Sequence, residues 1–438
     1  MKQDKIWGKS TMRKDTTFRN GCGLVLLCAA QLLFFLSASV PGHAAGGFPI
    51  IGVLHAGARP EALAVDTQTH MLYIAHEGGG LVVGFDPLSG QVRWRDPLDN
   101  SVTDTQVDSS SHHVYATTVS YRDQQSNFYI LDGATGRVLF KQRIGSADNS
   151  IAFDSKRQRV YVAGKDESDI YTFTYLPAAK NGSLQLQLTR LHIGSHLTAI
   201  GVNSRLGRLY VADGSLSMIT VLDEESEKPI TTIPVAEVPL APLRVDESSG
   251  RVYVVCSTGQ ELDVIDGKTN TLIAQIPVAP YPEGIVTNTT TGRIYVADEG
   301  NKENGSSDRG TGTTLTVIDR QTLDVLGTFQ VGQGPDGVEA DPVLHRIYVA
   351  VEDAGAVVEL SDSVDIPLKP DATVHQTLAA RQTIADLQRA TMITLIAMVL
   401  TMGGATLVAL SPRWRGRGSP QTLPGGASAH SKQHSPLR

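Results

Sequence analysis

An all-β fold, a seven-bladed β-propeller closed by an N-terminal strand, followed by a C-terminal transmembrane helix, is what three features of the sequence predict. A tyrosine-centred apolar motif recurs seven times, each copy lies among four short strand-like runs parted by turn residues, and a long uncharged segment stands at each end of the repeats. The 438 residues, 41% hydrophobic and 19% charged, suffice for a sizeable core and argue against disorder. Three cysteines exclude a disulfide-stapled scaffold.

The motif reads MLYIAH, HVYATT, RVYVAG, RLYVAD, RVYVVC, RIYVAD and RIYVAV, centred on Tyr73, Tyr115, Tyr161, Tyr210, Tyr253, Tyr295 and Tyr348. Seven residues before each tyrosine stands an acid or its amide: Asp66, Asp108, Asp154, Asn203, Asp246, Asn288 and Asp341. Short polar side chains of this kind bond their own backbone in turns, so these positions predict the bend between two strands. Thirteen residues after the tyrosine most copies end a second apolar run, at Asp86, Asp223 and Asp266; copies two and six arrive late, at Asp132 and Asp319, which marks two insertions between the same two strands. A strand before the Asp/Asn and another after an LSG, ATG or KTN turn complete four. Such a sheet exposes two apolar faces until it stacks against neighbours around an axis. The tyrosines therefore read as packing between blades, with their hydroxyls satisfied.

Seven units make a ring only if the last finds a fourth strand, because after VVEL (357–360) the chain turns polar. PIIGVLHA, Pro49 to Ala56, resembles the outer strands TTIPVAE and GTFQVGQ, and it is predicted to supply the missing one. RIYVAD followed by LTVID, with PEG or PDG ahead of the first strand, resembles the YVTN-type seven-bladed propeller repeat of surface-layer and periplasmic proteins, over about Phe48 to Ser361. The resemblance implies the fold and says little of chemistry. Blade three departs most from it, with YTFTYLP in place of the VID run.

The flanks set an expected topology. Residues 1–45 join a basic stretch, the uncharged run Gly21 to Val40 and small residues near Gly42 and Ala44, the order of a signal peptide or a signal anchor. The propeller is expected over 46–368, a helical stalk over 369–390, a transmembrane helix over 391–410 and a basic tail over 411–438. Arg413, Arg415 and Arg417 follow the apolar run and place the tail in the cytoplasm, hence the propeller on the extracytoplasmic side, periplasmic or cell-surface, of the cell membrane. Cys22 and Cys28 fall in the leader, which leaves the domain a single thiol, Cys256.

The net charge of −7 understates the acidity of the propeller, since both ends are basic; no nucleic-acid partner is expected. Loops that enter the first strand, or that join the second to the third, gather on one face around the channel. Five residues before each Asp/Asn stand Glu61, Thr103, Asn149, Thr198, Ala241, Glu283 and Asp336, and beyond the tyrosine strands come His76, Glu77, Asp213, Cys256, Asp298, Glu299, Glu352 and Asp353. The candidate ligand-binding face is accordingly Glu61, His76, Asn149, Asp213, Glu283, Asp298, Asp336 and Glu352, with Arg59 and Lys165 as its cations. The alternative is a solvated turn-rich face whose acids serve solubility. Carboxylate and amide oxygens at Glu61, Asn149, Glu283 and Asp336 would suit Ca²⁺ or Mg²⁺, although no cofactor is required by any motif. C-x-x-C-H, paired-Cys zinc, nucleophile-elbow and P-loop patterns are all missing from the sequence.

Three functions remain open. The first is a membrane-tethered binding or scaffolding module with a protein or glycan partner at its acidic channel face. A metal-dependent lactonase-like hydrolase with its site at the channel mouth is the second; some propellers related through the resemblance have that chemistry. The third is a docking partner for an extracytoplasmic redox protein.

Overall fold

A computed structural model describes residues 48–363 except 56, 121, 124, 146–148, 165–167, 180–181, 195, 237–238, 240–241 and 301–311. The expected leader, stalk, transmembrane segment and tail lie outside the described residues; among those described, no helix is long and apolar enough to cross a membrane. They form seven four-stranded antiparallel sheets. In chain order the blades run 60–97, 101–144, 149–192, 197–234, 243–277, 282–330 and 335–361. Each begins at the axis, where the first strands of neighbouring blades touch all round the ring, blade 7 against blade 1 included.

The closing strand is the expected one. Ile50–His55 pairs antiparallel with Ala356–Ser361 and becomes the outer strand of blade 7. Phe48, buried just before it, meets Phe329 edge-on at 5.0 Å and Tyr295 at 5.9 Å in blade 6. The first described residues thus fasten the last blade to its neighbour. Blade 3, despite its departure from the repeat, completes its sheet with Asp169–Tyr175 paired to Leu186–His192.

The core lies in the seven seams between blades. Both faces of every sheet are buried, so alternate residues of one strand serve different seams: Tyr295 and Ala297 pack toward blade 7, Ile294 and Val296 toward blade 5. All seven motif tyrosines are buried. Tyr73 donates to Gly133 O at 3.2 Å, Tyr161 to Glu224 Oε1 at 3.0 Å and Tyr210 to Gly267 O at 3.3 Å, each in the following blade, and Tyr115 meets Tyr175 Oη at 3.1 Å. The expected satisfaction fails for three. The hydroxyls of Tyr253, Tyr295 and Tyr348 have no well-aligned partner and rest beside Arg251, Arg293 and Arg346, that of Tyr295 also beside the Asp362 carboxylate, and these groups offset part of the cost.

The Asp/Asn positions cap the first bend in every blade. Asp66 accepts from the amides of Gln68 and Thr69, Asp108 from Ser110, Asp154 from Lys156 and Arg157, and Asn203 from Leu206; Asp246, Asn288 and Asp341 repeat the pattern. A side chain that mimics a backbone turn explains the fixed offset.

Candidate functional site

The face opposite these turns holds the channel mouth, and irregular pairing shapes it. Register slips between first and second strands at Pro60/Leu63, Val102/Asp104, Leu197/Ala199, Pro282/Gly284 and Pro335/Val338. The residues at these slips are Glu61, Thr103, Thr198, Glu283 and Asp336, five of the positions expected at the mouth. An extra residue in one strand re-aims its side chain. Asn149 departs from the pattern, being paired directly with Gly164; its side chain lies outside what is described.

Three of the acids are consecutive around the ring. A Cβ at Gly284 would lie 2.1 Å from Asp336 O, and one at Gly337 would lie 2.2 Å from Glu61 O. Only glycine lets the strands of blades 6, 7 and 1 approach so closely. Glu283, Asp336 and Glu61, all partly exposed, thereby stand on closely apposed strands of consecutive blades, an arc of acidic positions. The glycines of Pro-Glu-Gly and Pro-Asp-Gly are what draws them together.

The other four expected site residues are buried and engaged within the blades. His76 has Nδ1 3.0 Å from Ala58 O, which makes Nδ1 the protonated nitrogen; burial, then the charge of Arg95, holds its pKa below the usual imidazole value against the pull of that bond. Asp213 accepts from Ser215 N at 3.0 Å and Leu216 N at 3.1 Å, a local turn cap. Asp298 accepts on Oδ2 from Thr314 Oγ1 at 3.1 Å and Thr316 Oγ1 at 2.8 Å while Oδ1 has no hydrogen-bond partner; burial pushes this carboxyl up to about 8, so it is neutral at pH 7. Glu352 is paired with Arg59, whose Nη2 lies 2.5 Å from Glu77 Oε2. That triangle spans the closing seam between blades 7 and 1.

One charged pair escaped the sequence reading. Arg244, on the first strand of blade 5, reaches past Ile285 O to Glu339 of blade 7, so a salt bridge crosses the wall of the channel over blade 6. Its only sequence signal is a charge two residues before the turn acid Asp246. Among the described residues no set of three or more His, Cys, Asp and Glu side chains could hold a metal ion.

Comparison with known proteins adds the fold's relatives. A family model described as "Outer membrane protein assembly factor BamB" matches residues 78–223, from the second-to-third-strand turn of blade 1 to the third strand of blade 4, which is less than half of the chain. None of the curated proteins matches. Among solved structures, the chain is similar to the Cps50 (Swd1) β-propeller domain of Myceliophteria thermophila, with 11% identity, a TM-score of 0.58, and 72% of this chain and 100% of that one covered. A chain of a mitotic checkpoint complex structure aligns with 12% identity and a TM-score of 0.58, over 74% of this chain and 95% of its own length. At such identities the likeness establishes the propeller and nothing of its chemistry.

Proposed function

We propose that this chain is a binding or scaffolding module: an extracytoplasmic propeller, tethered to the membrane by its 391–410 segment, that engages a partner through the carboxylate arc of blades 6, 7 and 1. The observation that carries the reading is the arc itself, three acids at strand irregularities in consecutive blades, brought close by Gly284 and Gly337 and partly exposed. Desolvating such an arc is worthwhile only against complementary charge, so the partner surface is basic. The basic tail after the apolar run supports the orientation. The partial match to a family named for an outer membrane assembly factor, and the resemblance to YVTN-type repeats, accord with a display role.

Cross-linking and affinity recovery of the full-length protein from its own membranes tests this, with a Glu61→Gln, Glu283→Gln, Asp336→Asn triple variant alongside. A partner recovered by the natural chain and lost from the variant is expected, and its capture is expected to weaken with salt. Equal recovery by both chains would overturn the arc as the binding surface. A protease that reaches the 411–438 tail but not the propeller from outside intact cells would overturn the orientation.

A further inference from the structure

On the turn face, the seam between blades 6 and 7 and the seam between blades 3 and 4 occupy the same set of positions with different chemistry. In the 6/7 seam Asn288 Nδ2 donates to Asp362 Oδ2 at 2.6 Å, Thr291 Oγ1 donates to the same oxygen at 2.7 Å, and Arg293 Nη1 donates to Oδ1 at 2.6 Å. One buried carboxylate meets three donors. In the 3/4 seam Asp154 stands at the place of Asn288, Arg157 at that of Thr291, Arg159 at that of Arg293, Tyr161 at that of Tyr295 and Glu224 at that of Asp362. Asp154 and Glu224 are both buried, at 1% and 0% exposure. Both turn to one nitrogen: Arg157 Nη1 lies 2.8 Å from Asp154 Oδ2 and 2.9 Å from Glu224 Oε2.

The remaining donors are already occupied. Arg159 Nη1 donates to the backbone carbonyl of Glu224 at 3.0 Å, and its Nη2 faces the exposed Glu225 at 3.6 Å. Tyr161 donates to Glu224 Oε1 at 3.0 Å. Glu224 Oε2 sits beside the Arg157 charge without an aligned hydrogen bond, and its carboxyl is within hydrogen-bond reach of that of Asp154. The ionisable groups facing it are therefore Asp154, Arg157, Arg159 and Tyr161 from blade 3, with Asp223 and Glu225 beside it on its own turn.

We propose that Asp154 and Glu224 hold one proton between them, so that the blade 3–blade 4 seam is a pH-sensitive latch that the amide-based 6/7 seam is not. Two buried carboxylates and one shared guanidinium leave a surplus negative charge, which a proton cancels at less cost than burial of both anions. The titration properties agree. Burial and the Asp154 carboxyl push Glu224 up to about 8, while Asp154, against burial, is drawn down to about 2 by the Glu224 proton and Arg157. A carboxyl whose folded pKa is raised binds a proton that the unfolded chain releases, so its stabilisation is complete at acid pH and lost as pH climbs from its ordinary 4.5 through about 8.

Hydrogen exchange on the purified full-length protein, read at the Glu224 amide that bonds Gly207 O and corrected for intrinsic rates, tests this at pH 5 and pH 9. Protection is expected to fall roughly tenfold or more between them, a factor of ten being one pKa unit. Asp154→Asn should abolish the change without loss of the turn, because Asn203 and Asn288 already cap the same bend. Asn288→Asp should create a pH dependence at the 6/7 seam. A natural chain with no pH-dependent change, an Asp154→Asn chain that keeps it, or an Asn288→Asp chain that shows none would each overturn the proposal; if Asp154→Asn misfolds, Glu224→Gln provides the same comparison.

Discussion

The two faces of the ring are held together by different rules. On the turn face a repeated device operates: an Asp or Asn caps the bend, and the arginine and tyrosine of the next strand reach into the following blade, as when Arg159 and Tyr161 both engage Glu224. At the channel mouth most blades share a strand irregularity but differ in the side chains that surround it. His76, Gly164, Asp213, Cys256 and Asp298 end equivalent strands, and each solves its own burial problem differently. Repetition marks the positions that stability requires, whereas irregularity leaves room for side chains that stability does not need, which is where binding is expected.

Substitutions on the two faces should therefore differ in size and kind. Asp362→Ala on the turn face strands the buried guanidinium of Arg293 and leaves Asn288 and Thr291 without their acceptor; a loss of about 3–5 kcal/mol is expected in urea unfolding, the usual cost of an orphaned buried charge. Tyr161→Phe removes one buried hydroxyl contact to Glu224 and should cost about 1–2 kcal/mol in the same measurement. Asp298→Asn at the mouth keeps an acceptor for Thr314 and Thr316 and should leave stability at acid pH, below the ordinary carboxyl value, almost unchanged, while it lessens the fall of the natural chain's melting temperature as pH climbs from there to about 8. The sign follows from the raised carboxyl: its folded-state proton stabilises fully below the ordinary 3.8, and that contribution is lost as pH rises through about 8. Last, Glu61→Gln or Glu283→Gln should shift stability by no more than about 0.5 kcal/mol, as partly exposed groups do, yet reduce partner recovery. If the arc variants proved as destabilising as Asp362→Ala, the division between a structural and a binding face would fall.

Much of the turn face could be read from spacing. The seven caps, the seven tyrosine seams and the closing strand at Ile50–His55 follow from local rules and a count of strands. The arginine two residues before most of the tyrosines was equally visible, but its purpose was not: Arg208 reaches Gly267 O and Arg251 reaches Arg320 O, about 60 to 70 residues away in the following blade, whereas Arg346 pairs with Glu359 in its own. At the mouth, the offset of five located Glu61, Glu283 and Asp336. It could not tell them from His76, Asp213 and Asp298, since a strand end faces either solvent or seam according to the blade beside it.

Local chemistry along the chain thus specifies which residues bend, which pair and how many sheets result, because turns and strand alternation act over a few residues and repeat legibly. The contents of the seams belong to a different scale. That Asp154 must share a proton where Asn288 need not, that Arg244 crosses to Glu339, and that Gly284 and Gly337 press three acids into an arc depend on distances between segments remote in sequence, and these distances exist only once the ring has closed.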